Sequence, residues 1–187
     1  TKMVGTNNTH NDSGALGFYY AIKLLEESLN DQILHQDDES EFSVTCNVPL
    51  DPIWPILSAA AEDSHTRTQS GVDDPSKQAD LMVIRFSRKD NATKLSLLPI
   101  EVKHSADGDP DQDERKEAVK QVEDTLSTIK NLQNNMAQQN NSYLKRVAIA
   151  SIADLASKFS YTNPSRKQLG TISNDILTDN FSIDFKP

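Results

Sequence analysis

Apolar residues gather in short runs along this chain, and each run carries its own spacing. Phe18, Ile22, Leu25 and Leu29 recur at helical intervals after Asp12-Ser13-Gly14, which predicts a helix from about Ala15 to Leu29. Glu26 borders that stripe and Glu27 points further out. Phe42 to Val48 alternates like a strand, Pro49, Pro52 and Pro55 interrupt regular structure, and Ile53 to Ala61 reads as a short helix. Asp80 to Ser87 and Leu95 to His104 form a predicted hairpin, with Arg88 to Lys94 as its turn. Both faces of these two strands carry apolar residues, which implies a sheet covered on both sides. A long helix follows from about Arg115 to Gln138, its stripe supplied by Val119, Val122, Leu126, Ile129, Leu132 and Met136. Arg146 to Ile152 reads as one more buried strand and Ala153 to Phe159 as a helix. Asn163-Pro164 marks a break, and Gln168 to Phe185 is weakly patterned. The order of elements predicts an α/β layered domain.

Polar stretches separate these runs. Thr1 to Ser13, Glu62 to Gln78 and Ser105 to Glu114 read as loops, which accounts for a hydrophobic content of only 36% in 187 residues. The expected organisation is a flexible segment over residues 1–12, one domain over 13–160 and a C-terminal extension over 161–187. The first residue is Thr1 rather than Met, so a piece of a longer protein is expected. The single cysteine, Cys46, excludes an internal disulfide and fits a small core residue in a reducing, cytoplasmic setting. No apolar run approaches the length needed to cross a membrane. The net charge of −9 argues against a stand-alone nucleic-acid binder, whose affinity rests on neutralising phosphates. A grip on nucleic acid then falls to neighbouring domains, a partner, a local basic patch or metal ions.

The chemistry concentrates at Asp80 and at Glu101-Val102-Lys103. Charges flanked by apolar strand residues are costly unless they are paired or bind a metal. Strand alternation places Glu101 and Lys103 on one face and Ile100 and Val102 on the other. Two carboxylates on adjacent strands repel when both are ionised, and a divalent, oxygen-preferring cation relieves that repulsion. A lysine at the same edge can orient an attacking water, help deprotonate it, or stabilise charge on a phosphoryl group. The chemistry implied is metal-assisted hydrolysis of a phosphodiester. The plain alternative is a salt-bridged strand pair. His104 reads as a structural histidine, His10, His35 and His65 are scattered, and no Cys/His spacing suggests zinc. With only six glycines and no glycine-rich phosphate loop, a nucleotide-binding class is unsupported.

Asp80 on one strand, Glu101-x-Lys103 on the next, then a helix carrying Gln121, resembles the PD-(D/E)xK nuclease superfamily, with a RecB-like look in the glutamine. The resemblance covers roughly Asp12 to Ile152. It implies a restriction-endonuclease-like core, a central mixed β-sheet flanked by helices on both sides. It also implies that Asp80, Glu101 and the Val102 carbonyl ligate Mg²⁺ or Mn²⁺, that Lys103 serves the nucleophile and that Gln121 orients the site. The first helix of that family can donate a further acid, a place that Glu26 fits and for which Glu27 competes. The sequence departs from the pattern in having no proline directly before Asp80. The expected function is a metal-dependent nuclease acting on DNA, within a larger prokaryotic repair or defence protein such as a helicase–nuclease or restriction system. The alternative is a catalytically silent nuclease-like fold that serves as an assembly or nucleic-acid-positioning module, which the acidic surface motivates.

Overall fold

The computed structural model describes residues 19–25, 27, 40–61, 78–103, 110–137, 142–160 and 164–185. In chain order they form helix α1 (residues 19–25), β1 (Phe42–Pro49), α2 (Trp54–Ala61), β2 (Leu81–Lys89) and β3 (Ala92–Ile100). Helices α3 (Gln112–Ala137), α4 (Ser142–Ser157) and α5 (Arg166–Leu177) follow, and β4 (Phe181–Phe185) comes last. The expected first helix is helical where it is described. Phe18, Glu26 and Leu29 lie outside the described residues, as do His10, His35, His65 and His104.

The strands make one mixed sheet in the order β1-β2-β3-β4. The first three are antiparallel neighbours and β4 runs parallel to β3. The β2–β3 turn is tighter than the sequence suggested. Asp90 and Asn91 both take positive φ, 53° and 63°, and the ladder closes directly beyond them at Lys89 and Ala92. Asp and Asn tolerate that left-handed conformation, and a two-residue turn of this kind matches the twist of the flanking strands.

Alternation sorts the strand residues into two faces. Val44, Cys46 and Val48, opposite Phe86, Ile84 and Met82, share one face with Leu95, Leu97 and Ile183. These pack with Leu57 of α2, Ile129 and Leu132 of α3, Ile149 and Ile152 of α4, and Ile172 and Ile176 of α5 in a single core. The other face is buried as well but mixed in character: Leu81 and Val83 lie there beside Thr45, Asn47, Arg85 and Ser87. The Thr45 hydroxyl and both amide atoms of Asn47 have no hydrogen-bond partner among the described residues. Polar contacts stitch the helices on the core side. Lys145 Nζ donates to the Asn135 carbonyl at 3.1 Å, near the C-terminal end of α3, and Asn135 Nδ2 donates to the last carbonyl of α2, that of Ala61, at 2.6 Å. Cations and amides are favoured there because the final carbonyls of a helix lack partners.

Three expectations are corrected. Arg146 to Ile152 is not a strand: it lies inside α4, which also absorbs the helix expected from Ala153. Its buried positions, Lys145, Ile149, Ile152, Ala153 and Ala156, follow helical spacing, and Ala148, Ala150, Ala153 and Ala156 favour the helix. A short apolar run cannot be assigned from periodicity alone, and here the alanines decide. The weakly patterned stretch from Gln168 supplies α5 and β4, with Ser165 and Gln168 forming a reciprocal capping box at the start of α5. Finally, Glu101-Val102-Lys103 does not lie within a strand, because β3 ends at Ile100. Among the described residues no helix is long and apolar enough to cross a membrane.

Candidate functional site

The β2–β3 ladder terminates at the pair Leu81–Ile100, so Asp80 and Glu101 emerge side by side from one end of the hairpin. Their backbones and carboxylates interlock. The Asp80 amide donates to Glu101 Oε2 at 3.2 Å, and the Val102 amide donates to Asp80 Oδ2 at 2.9 Å. Each acid thus accepts from the opposite strand's extension, which fixes both carboxylates without further ladder pairing.

Lys103 completes the group. Its ammonium lies 2.9 Å from Glu101 Oε1 and donates to Gln121 Oε1 at 3.0 Å. Gln121 projects from the third turn of α3, whose start is set by Asp111. One Asp111 carboxylate oxygen accepts from the amides of Asp113 and Glu114, at 2.8 Å each, while Glu114 reaches back to the Asp111 amide. That reciprocal cap satisfies the first amides of α3 and places negative charge at the positive end of the helix. The tail of the acidic run therefore has a structural use.

The segment before Asp80 is tied down as well. Gln78 Nε2 donates to Asp51 Oδ1 at 2.6 Å, Leu50 donates to the Asp80 carbonyl at 3.0 Å, and the Ala79 amide donates to Thr125 Oγ1 at 2.9 Å. Thr125 is fully buried, one turn beyond Gln121 on α3. Sequence reasoning passed over it. A lone threonine in a helix carries no signal of its own, and only its spacing of four from Gln121 hinted at a shared face.

Electrostatically the site is strained toward extra positive charge. The Glu101 side chain is only 4% exposed, whereas Lys103 is 27% exposed. Burial pushes the Glu101 carboxyl above the ordinary glutamate range; the Lys103 hydrogen bond opposes this and the charge of Asp80 adds to it. Burial works to lower the Lys103 ammonium. The hydrogen bond to Glu101 and the charges of Glu101, Glu117 and Asp80 together outweigh that, so the net shift is upward. Lys103 is thereby kept as a charged donor rather than a neutral base.

The structure thus brings together Asp80, Glu101, Lys103 and Gln121, with the Val102 backbone between the acids. Glu26 lies outside the described residues. Among the described residues no three His, Cys, Asp or Glu side chains gather as a metal-binding group. The oxygen donors held at this end of the hairpin are the Asp80 and Glu101 carboxylates. Hard oxygen donors of this kind suit Mg²⁺ or Mn²⁺, which are commonly held by one or two carboxylates with water and substrate oxygens completing the shell. No family model, no curated protein and no solved structure matches this chain.

Proposed function

We propose that the chain is a metal-dependent nuclease domain built on a restriction-endonuclease-like core, hydrolysing phosphodiester bonds of DNA. The observation that carries this reading is the contact of Lys103 Nζ with both Glu101 and Gln121, beside an Asp80 that is locked to the same backbone turn. A salt bridge made only for stability has no need of a second carboxylate that raises the proton affinity of the first.

Asp80, Glu101 and the Val102 carbonyl would hold Mg²⁺ or Mn²⁺. That ion, when bound, supplies charge neutralisation at the scissile phosphate and a more acidic water. The residues of the chain do the rest. Lys103, protonated and held by Gln121, presents donors to the attacking water or to the charge that builds on the phosphoryl oxygens. Gln121 keeps that ammonium in place if Glu101 turns to the metal. The excess of acidic residues, −9 overall, leaves the grip on DNA to other domains or a partner, consistent with a cytoplasmic repair or defence assembly that includes a helicase or ATPase. The same acidity favours one other reading, a silent nuclease-like module docked on a basic partner.

The test is cleavage of plasmid and single-stranded DNA at low salt with Mg²⁺ or Mn²⁺. Wild type should cut, and Lys103→Ala and Asp80→Ala should lose about 10²-fold or more while retaining the fold. Full Mg²⁺-dependent cleavage by Asp80→Ala would sink the assignment. Absence of both cleavage and Mn²⁺ binding in the wild type would select the silent module.

A further inference from the structure

The geometry points to Thr125 as a positioning residue that sets the Asp80 carboxylate relative to the Lys103 ammonium, an inference that rests on the nuclease reading above. Ala79 is completely buried, and the β1–β2 ladder ends at Pro49–Leu81, so the ladder offers the Ala79 amide no partner. Thr125 Oγ1 supplies one at 2.9 Å. The hydroxyl proton is committed elsewhere, donated at 2.8 Å to the Gln121 carbonyl one turn back, which turns an oxygen lone pair toward the incoming amide. The next residue after Ala79 is Asp80.

Two grips therefore issue from one turn of α3. Gln121 uses its side-chain oxygen to hold Lys103, and its backbone carbonyl orients the hydroxyl that holds the approach to Asp80. A helical turn is rigid, so the acid and the ammonium are referred to a common frame although they reach it from opposite strands of the hairpin. Groups that orient metal ligands without touching the metal change affinity or activity by about 10- to 100-fold when removed.

The experiment compares Thr125→Val, which keeps the shape and loses the hydroxyl, with Thr125→Ser, which keeps the hydroxyl. Hydrogen exchange should show the Ala79 amide losing protection in the valine variant alone, with the β2–β3 amides protected in both. Mn²⁺ affinity, measured calorimetrically without DNA, should fall about 10-fold in Thr125→Val and recover in Thr125→Ser. Cleavage should follow the same order. Wild-type Mn²⁺ affinity in Thr125→Val, with the Ala79 amide exposed, would overturn the positioning role and leave a structural tie. Failure of the wild-type protein to bind Mn²⁺ at all would instead remove the nuclease reading, and this inference with it. Thr125→Ala, which adds no methyl beside the amide, carries the same comparison if the valine variant does not fold.

Discussion

Glu101 accepts the Asp80 amide through one oxygen and Lys103 through the other, while water barely reaches its side chain. Its carboxyl is shifted upward from 4.5, so the folded chain holds this proton more tightly than the unfolded chain. Below the unfolded value both states are protonated and stability is fully retained. As pH rises through the folded value, the folded protein gives up a proton that burial favours, and stability falls. In metal-free protein the melting temperature of Glu101→Gln should therefore gain on that of wild type as pH rises from mild acid to neutrality. A gap that stays constant with pH would contradict the burial argument. At this scale much was legible beforehand. Asp80, Glu101 and Lys103 could be singled out because charges beside apolar strand residues are costly and therefore conspicuous, whereas Gln121 was picked out only by the family resemblance. Thr125 could not, because its importance lies in a hydroxyl meeting an amide 46 residues away in the chain.

Helix α4 shows where the reading of elements went astray. Val147 and Ile149 would share a face in a strand, but in a helix they lie on nearly opposite sides. Ile149 is 2% exposed and Val147 37% exposed, which is the helical arrangement. Denaturant unfolding should accordingly show a loss of about 2–5 kcal/mol for Ile149→Ala. Val147→Ala should stay within about 0.5 kcal/mol. Equal losses would restore the strand. The hairpin and α3 were legible because their apolar patterns are long, but the Asp90-Asn91 turn and the Asp111 cap that mark their ends were not read from the sequence. Helix α5 and β4 were not legible. The helix shows only Ile172, Asp175 and Ile176 as buried residues, and β4 is five residues long, so neither makes a strong periodic signal. Asp175 is buried for a reason that spacing cannot reveal: it accepts from Arg88 Nε at 3.0 Å and from the Thr93 hydroxyl at 2.8 Å, tying α5 to the hairpin.

Across the molecule, the candidate site lies at one end of the sheet, where the ladder stops and α3 crosses with its capped end nearby. Two acids meet there with Lys103 bound to one of them, so a divalent ion should bind the folded form in preference to the unfolded one. At a Mn²⁺ concentration of about 100 times the dissociation constant, wild type should gain roughly 2.7 kcal/mol of stability. Asp80→Ala should gain much less, and a calorimetric or thermal-shift titration reads the difference. An equal gain in both would move the ion to some other place on the surface. The α/β class of the molecule followed from element order, but the composition of its sheet did not. One expected strand proved to be a helix, and the fourth strand came from the weakly patterned C-terminal stretch.

The parallel partner of β3 has a consequence for synthesis. During translation the outer flank of β3 stays open until α3, α4 and α5 have been made, since β4 follows all three. An unpaired strand of this kind invites pairing with another nascent chain. Lys94 lies on that strand, opposite Ser182 in the finished sheet and 2.9 Å from Asp184. Before β4 arrives its charge stands without that partner on the bare flank, where it discourages intermolecular strand addition; once β4 docks, Asp184 takes the same charge into an ion pair. One lysine thus guards the unfinished sheet and then helps to close it.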